Sequence, residues 1–184
     1  MQKGHRQSVK DDIEARVEAG ESKTAVFAGY EMTSDAVYAS RVLAMTPTLA
    51  NRRRLAPLQR LLYALAALLA IADFWIDFIP VALQAHNPVV LLTGGILYLA
   101  IFWLLVRHNP FGYLMVAAMA IRGLYGALRF FGPDRPPNAA GIALLALYVV
   151  LAVFPLVLQH RMLPKTGFLL TPKRDAFGRP EFED

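Results

Sequence analysis

The sequence predicts an all-α integral membrane protein: a bundle of four transmembrane helices, preceded by a short helical segment and followed by a tail. Three observations carry that expectation. Apolar residues make up 56% of the 184-residue chain, above the half or less usual for a soluble domain, and the mean hydropathy is +0.40. The charges are segregated. Of 33 charged residues, 17 precede residue 61 and 9 follow residue 159, leaving 7 in the stretch between: Asp73, Asp77, Arg107, Arg122, Arg129, Asp134 and Arg135. That stretch also divides into four apolar runs, each about as long as a bilayer crossing.

The first run, 61–82, reads LLYALAALLAIADFWIDFIPVA and is preceded by Arg52, Arg53, Arg54 and Arg60. The second, 89–106, follows the turn at His86, Asn87 and Pro88 and is closed by Arg107 and the dipeptide Asn109-Pro110. The third covers 111–131. It ends in Gly132-Pro133-Asp134-Arg135-Pro136-Pro137-Asn138, too rich in proline to be helical. The fourth covers 139–158, with Pro155 expected to kink its last turns and Gln159, His160 and Arg161 at its exit. The expected organisation is therefore a helical segment over 1–56, a membrane domain over 57–160 and a tail over 161–184.

Orientation follows from the lysines and arginines near helix ends. One side collects Arg52, Arg53, Arg54, Arg60, Arg107, Arg161 and Lys165, the other only Arg129 and Arg135. The first side is expected to be cytoplasmic, which puts both termini inside a bacterial-type inner membrane. Aromatic residues fall at both boundaries: Phe74, Trp75, Phe78, Phe130 and Phe131 on the outer, Trp103, Phe111, Tyr113 and Phe154 on the inner. The first apolar run starts only after a long polar stretch, so it does not read as a cleavable signal.

Before the membrane domain, apolar residues recur at helical spacing: Ile13 and Val17, then Val26, Phe27 and Tyr30, then Tyr38, Val42 and Met45. Gly20 should end a first helix, and Ser22 and Ser34 should cap two more. Residues 17–42 bear a superficial likeness to a helix-turn-helix but hold no diagnostic residue. The terminal segments are mixed in sign, so no nucleic-acid partner is expected; the expected partners are the bilayer and a homo-oligomer or membrane complex. In the tail, Phe168 to Thr171 and Pro180 to Glu183 flank a turn-forming Asp175-Ala176-Phe177-Gly178, which reads as a small hairpin or a plain peptide.

The informative residues are Asp73, Asp77, Arg122 and Arg129, because a charge at membrane depth costs roughly 2.5 to 3.5 kcal/mol or more unless paired or hydrated. Ala66, Ala70, Asp73 and Asp77 form one stripe on the first helix, and Ala118, Arg122, Gly126 and Arg129 one on the third. Counted at about 1.5 Å per residue from Leu61 and Phe111, Asp73 and Arg122 lie about 18 and 16 Å deep, Asp77 and Arg129 about 24 and 27 Å. The match predicts two charge pairs, Asp73 with Arg122 and Asp77 with Arg129.

Catalytic chemistry finds little support. Without cysteine there is no disulfide, thiolate or iron–sulfur chemistry in the chain. His5, His86, His108 and His160 each stand apart from any second ligand, so no metal, haem or other cofactor is expected. Two aspartates four residues apart on one helix do not make a protease dyad. Gly94-Gly95 lies inside an apolar helix and reads as close packing, not a phosphate loop. The expected function is that of a structural or assembly subunit, not an enzyme. Two alternatives are an ion or proton pathway using Asp73 and Arg122, and a sensor acting through the cytoplasmic helices. Against a pathway, the second helix offers only Thr93 and Tyr98 as polar groups and the fourth only Tyr148.

Overall fold

In a computed structural model, residues 2–128, 139–166, 171–176 and 178–182 are described, without the side chains of residues 2, 3 and 77. The chain forms two compact units: 1–56 with 159–184, and 57–158. Among the described residues the regular structure is helical, and four helical segments are long and apolar enough to cross a membrane.

The first unit is built on α1 (Gln2–Glu18), α2 (Lys23–Ala28) and α3 (Ala36–Met45). Gly20, at φ +92°, turns the chain out of α1, and Ser22 caps α2 by accepting from the Ala25 amide at 3.2 Å. The cap expected at Ser34 is not there. α3 starts one residue later, behind Asp35, whose side chain makes no capping bond; it instead meets His5 Nε2 at 2.8 Å. Between α2 and α3 the chain runs through turns over residues 29–35, longer than the three or four residues that join a DNA-reading helix pair. Val9, Ile13 and Val17 of α1 pack on Val26, Ala39, Val42 and Leu43, with Phe27, Tyr30 and Tyr38 at the rim.

The tail belongs to the same unit. Asn51 Nδ2 donates to the Met162 carbonyl at 3.4 Å, Thr166 Oγ1 donates to the Ala44 carbonyl at 2.9 Å, and Phe182 lies 5.3 Å from Phe27, ring to ring. It doubles back through isolated bridges, Thr166 with Pro172 and Arg174 with Pro180, around the left-handed Gly178. Phe168 to Leu170 and Glu183 of the expected extended stretches lie outside the described residues.

Tyr30 donates to Asp12. Burial, and then that bond, pushes its hydroxyl up to about 12 from 10. A folded-state value raised above the unfolded one favours the fold below pH 10, and that contribution is lost as pH rises through about 12. The phenolate absorbance of wild type minus Tyr30→Phe should accordingly titrate with a midpoint near 12. A midpoint near 10 would mean that Tyr30 is not held in this contact.

Val26 is fully buried in the apolar core, and a carboxylate placed there would cost its desolvation and the apolar packing it replaces. Val26→Asp should raise the rate of tryptic cleavage in residues 10–50 at least tenfold in membranes while the apolar helices still insert. Wild-type cleavage as fast as that of an unstructured peptide would refute the packed head.

The second unit holds the apolar helices. α4 (Leu49–Asp73) begins well before the first apolar run and carries Pro57 within it. It passes into a π turn (Phe74–Phe78) and then α5 (Ile79–Ala85). Pro80 supplies the physical reason. It has no N–H to give to the Ile76 carbonyl and its ring crowds that group, so the ladder steps to the wider register, in which Ile79 N–H donates to Phe74 O. α6 (Val89–Val106) lies between turns at His86 and His108, both left-handed, at φ 49° and 52°. α7 is Pro110–Leu128, and α8 runs unbroken through Pro155 from Ala139 to Met162. Most large apolar side chains on these helices point outward, Leu99 at 71% exposure and Ile96 at 68% among them. Water would not tolerate such a surface, whereas lipid tails would.

Candidate functional site

Asp73, at the last position of α4, is wholly buried. The buried face of α4 is Leu62, Ala66, Leu69 and Asp73, a helical stripe that carries its one charged member into contact with all three other spanning helices. From α6, Tyr98 Oη donates to Asp73 Oδ2. From α8, Tyr148 Oη donates to Asp73 Oδ1 at 2.9 Å. From α7, Arg122 Nη2 stands 4.0 Å from Asp73 Oδ2, too far for a hydrogen bond but close enough for a charge contact in a low dielectric.

The two tyrosines are held by their surroundings. The ring of Tyr98 packs 6.0 Å from Phe74 and 6.4 Å from Phe78, which stack on each other at 5.1 Å. The π turn thus supplies the wall behind the Tyr98 hydroxyl. Gly94 lets α6 approach that wall, since a Cβ there would lie 2.7 Å from Phe78 Cδ1, whereas at Gly95 it would meet only Phe74 Cζ at 4.0 Å. Tyr148 lies over Gly123 of α7. A Cβ on Gly123 would overlap Cε1 of that ring and stand 2.5 Å from its Cζ, so only glycine leaves room for the hydroxyl to reach Asp73.

The sequence stripes need two corrections. α7 buries Val116, Ala120, Gly123 and Ala127, not Ala118 and Gly126. Ala118 is exposed, and a Cβ on Gly126 would meet nothing within 4 Å. Arg122 therefore reaches Asp73 from the edge of the packed face, with half of its side chain exposed. Its length lets it do so while the adjacent glycine makes the close contact. As for the second expected pair, Asp77 lies in the π turn with its side chain outside the described residues, and Arg129 lies outside them altogether.

No protein family matches the chain, and neither the curated proteins nor the solved structures yield a match. Roles for its residues therefore rest on their geometry.

A second polar group occupies the other end of the unit. Gln59, buried on α4, places Nε2 2.5 Å from His108 Nδ1 and 3.1 Å from Tyr113 Oη, and Tyr63 Oη donates to the Leu105 carbonyl at 3.2 Å. Among the arginines singled out for topology, Arg52 pairs with Glu18 at 2.8 Å, Arg107 lies over the Trp103 ring at 4.5 Å, and Arg53, Arg54, Arg60 and Arg161 are exposed. Among the described residues no three His, Asp or Glu side chains converge as metal ligands would.

Sequence reasoning singled out Asp73 but missed the hydroxyls that hold it. A signal existed: Tyr98 and Tyr148 are almost the only polar groups on two otherwise apolar helices, and a tyrosine buried in such a setting ordinarily seeks an acceptor.

Proposed function

We propose that the chain is a structural or assembly subunit of a membrane complex or homo-oligomer. Its four helices form a bundle whose register is set by Asp73, with both termini cytoplasmic in a bacterial-type inner membrane. The observation that supports this reading is the enclosure of Asp73. Its two oxygens are taken by Tyr98 and Tyr148, none of its surface is accessible, and the neighbouring cavity is lined by Ala66, Leu69, Ile101, Phe102, Val116 and other apolar groups together with Tyr98. A carboxylate serving a proton or ion path needs water or a moving partner at its oxygens. One locked by hydroxyls from two helices acts as a registry pin, a role in which a buried polar group selects one packing over its alternatives.

Reconstitution tests this directly. Vesicles containing the purified chain should pass protons and monovalent cations no faster than empty ones, and the chain should co-purify from native membranes in mild detergent with itself or with a stoichiometric partner. Flux that disappears in Asp73→Asn would overturn the reading in favour of a pathway. Reporter fusions after His86 and Arg135 should read outside, and those after His108 and Asp184 inside; a cytoplasmic signal at Arg135 would refute the orientation.

A further inference from the structure

Arg60 and Arg107 both lie at one end of the membrane unit. Arg60 immediately precedes Leu61, where the apolar run begins, and Arg107 immediately follows Val106, where α6 ends. Two links hold these positions beside each other: Gln59 to His108 and Tyr63 to the Leu105 carbonyl. Arg60 lies between the first members of these links on α4, Arg107 between the second members at the close of α6. Both side chains are exposed, and among the described residues neither takes part in an ion pair. Asp73, the one carboxylate of the unit whose side chain is described, is buried at the far end of α4 from Arg60. Trp103, one turn inside Arg107, is itself half-exposed and carries the guanidinium on its face.

We infer that Arg60 and Arg107 form the headgroup site of an anionic phospholipid, with Trp103 lying along its glycerol-ester region. The chemistry selects this occupant. Two guanidiniums that flank the ends of apolar runs present forked donors where a lipid phosphate would lie. An indole just below them is the side chain that favours the ester layer, and its stacking restrains Arg107 before any ligand arrives. A soluble anion would use the arginines but gain nothing from the indole or from the exposed apolar faces beneath it. The inference does not depend on the assembly role proposed above, nor on which side of the membrane this end faces.

The test uses the full chain in a non-ionic detergent, with phosphatidylglycerol, phosphatidylcholine or inorganic phosphate added and bound lipid counted by native mass spectrometry. The wild type should retain phosphatidylglycerol in preference to phosphatidylcholine, and millimolar phosphate should not displace it. Arg60→Gln with Arg107→Gln should weaken retention by about tenfold or more, given the attraction that each basic residue contributes at an anionic surface. Arg53→Gln with Arg54→Gln, which removes the same charge elsewhere, should leave retention unchanged. Equal retention of the two lipids, displacement by phosphate, or equal weakening in both double variants would each overturn the site. Should the first double variant fail to fold, the wild-type comparison still decides the lipid class. Arg107→Lys then decides the residue: it keeps the charge but loses the fork and most of the stacking, so retention should fall severalfold, and unchanged retention would exclude Arg107.

Discussion

Asp73→Ala is expected to lower the stability of the membrane unit by about 3 to 5 kcal/mol, seen as loss of folded protein in detergent and a fall in Tm. The magnitude comes from opposing terms. The substitution relieves the roughly 2.5 to 3.5 kcal/mol that an aspartate costs at membrane depth, so insertion itself should not suffer. Against that, the folded state loses two hydrogen bonds to a carboxylate, together about 3 to 6 kcal/mol, and strands the buried Tyr98 hydroxyl, at about 1 to 3 kcal/mol, which leaves a net loss centred on about 3 to 5 kcal/mol. Neutral interhelical bonds in membranes average only about 0.6 kcal/mol; the charge on the acceptor and the complete burial of Asp73 are what raise the total here. Tyr98→Phe and Tyr148→Phe should each cost less, about 1 to 2 kcal/mol. In the Asp73→Ala background Tyr98→Phe should become neutral or stabilising, because it removes a stranded hydroxyl. Arg122→Ala should couple to Asp73 more weakly than either tyrosine, its guanidinium being half-exposed and 4.0 Å away. Additive losses for Asp73→Ala and Tyr98→Phe would show that the hydroxyl bond contributes nothing.

The helices were legible because a bilayer imposes a length and forbids unpaired backbone; α6 is bounded by turn residues, Asn87-Pro88 and Asn109-Pro110, that any reader can mark. The helical segment before the membrane was legible for a similar reason, since Ile13 and Val17 recur at the helical period before the break at Gly20 and Ser22 is a strong cap. Asp73 stood out through cost alone. What did not show was the part of the site made by tertiary fit. The π turn has one local cause, Pro80, but a proline in an apolar run signals a kink as readily as a register change. Tyr98 and Tyr148 stand out in the sequence as polar groups on two apolar helices, but nothing in it pairs either hydroxyl with Asp73, because that pairing is made by tertiary packing. The inward face of α7 sits one residue from the stripe of Ala118, Arg122 and Gly126, because the packing is set at Gly123 by a ring from a helix far along the chain.

That last contact yields a prediction whose sign distinguishes the two glycines. Replacing glycine by alanine inside a helix ordinarily stabilises it by about 1 kcal/mol. At Gly126, where the new methyl meets nothing within 4 Å, Gly126→Ala should show that gain or no change. At Gly123 the methyl would overlap the Tyr148 ring, and the ring cannot swing away without releasing Asp73 Oδ1. Gly123→Ala should then cost overpacking of about 1 to 3 kcal/mol together with part of a charge-assisted bond of about 1.5 to 3 kcal/mol, a net loss of about 2 to 4 kcal/mol after the helical gain. Thermal unfolding of the single variants in detergent reads both signs. The decisive measurement places Gly123→Ala in a Tyr148→Ala background. With the ring gone the methyl has space, so the substitution should turn from destabilising to neutral or stabilising, a coupling of several kcal/mol between residues on α7 and α8. If Gly123→Ala costs the same with and without the Tyr148 ring, the glycine is not there to admit the tyrosine, and the close packing of α7 against α8 around Asp73 is wrong.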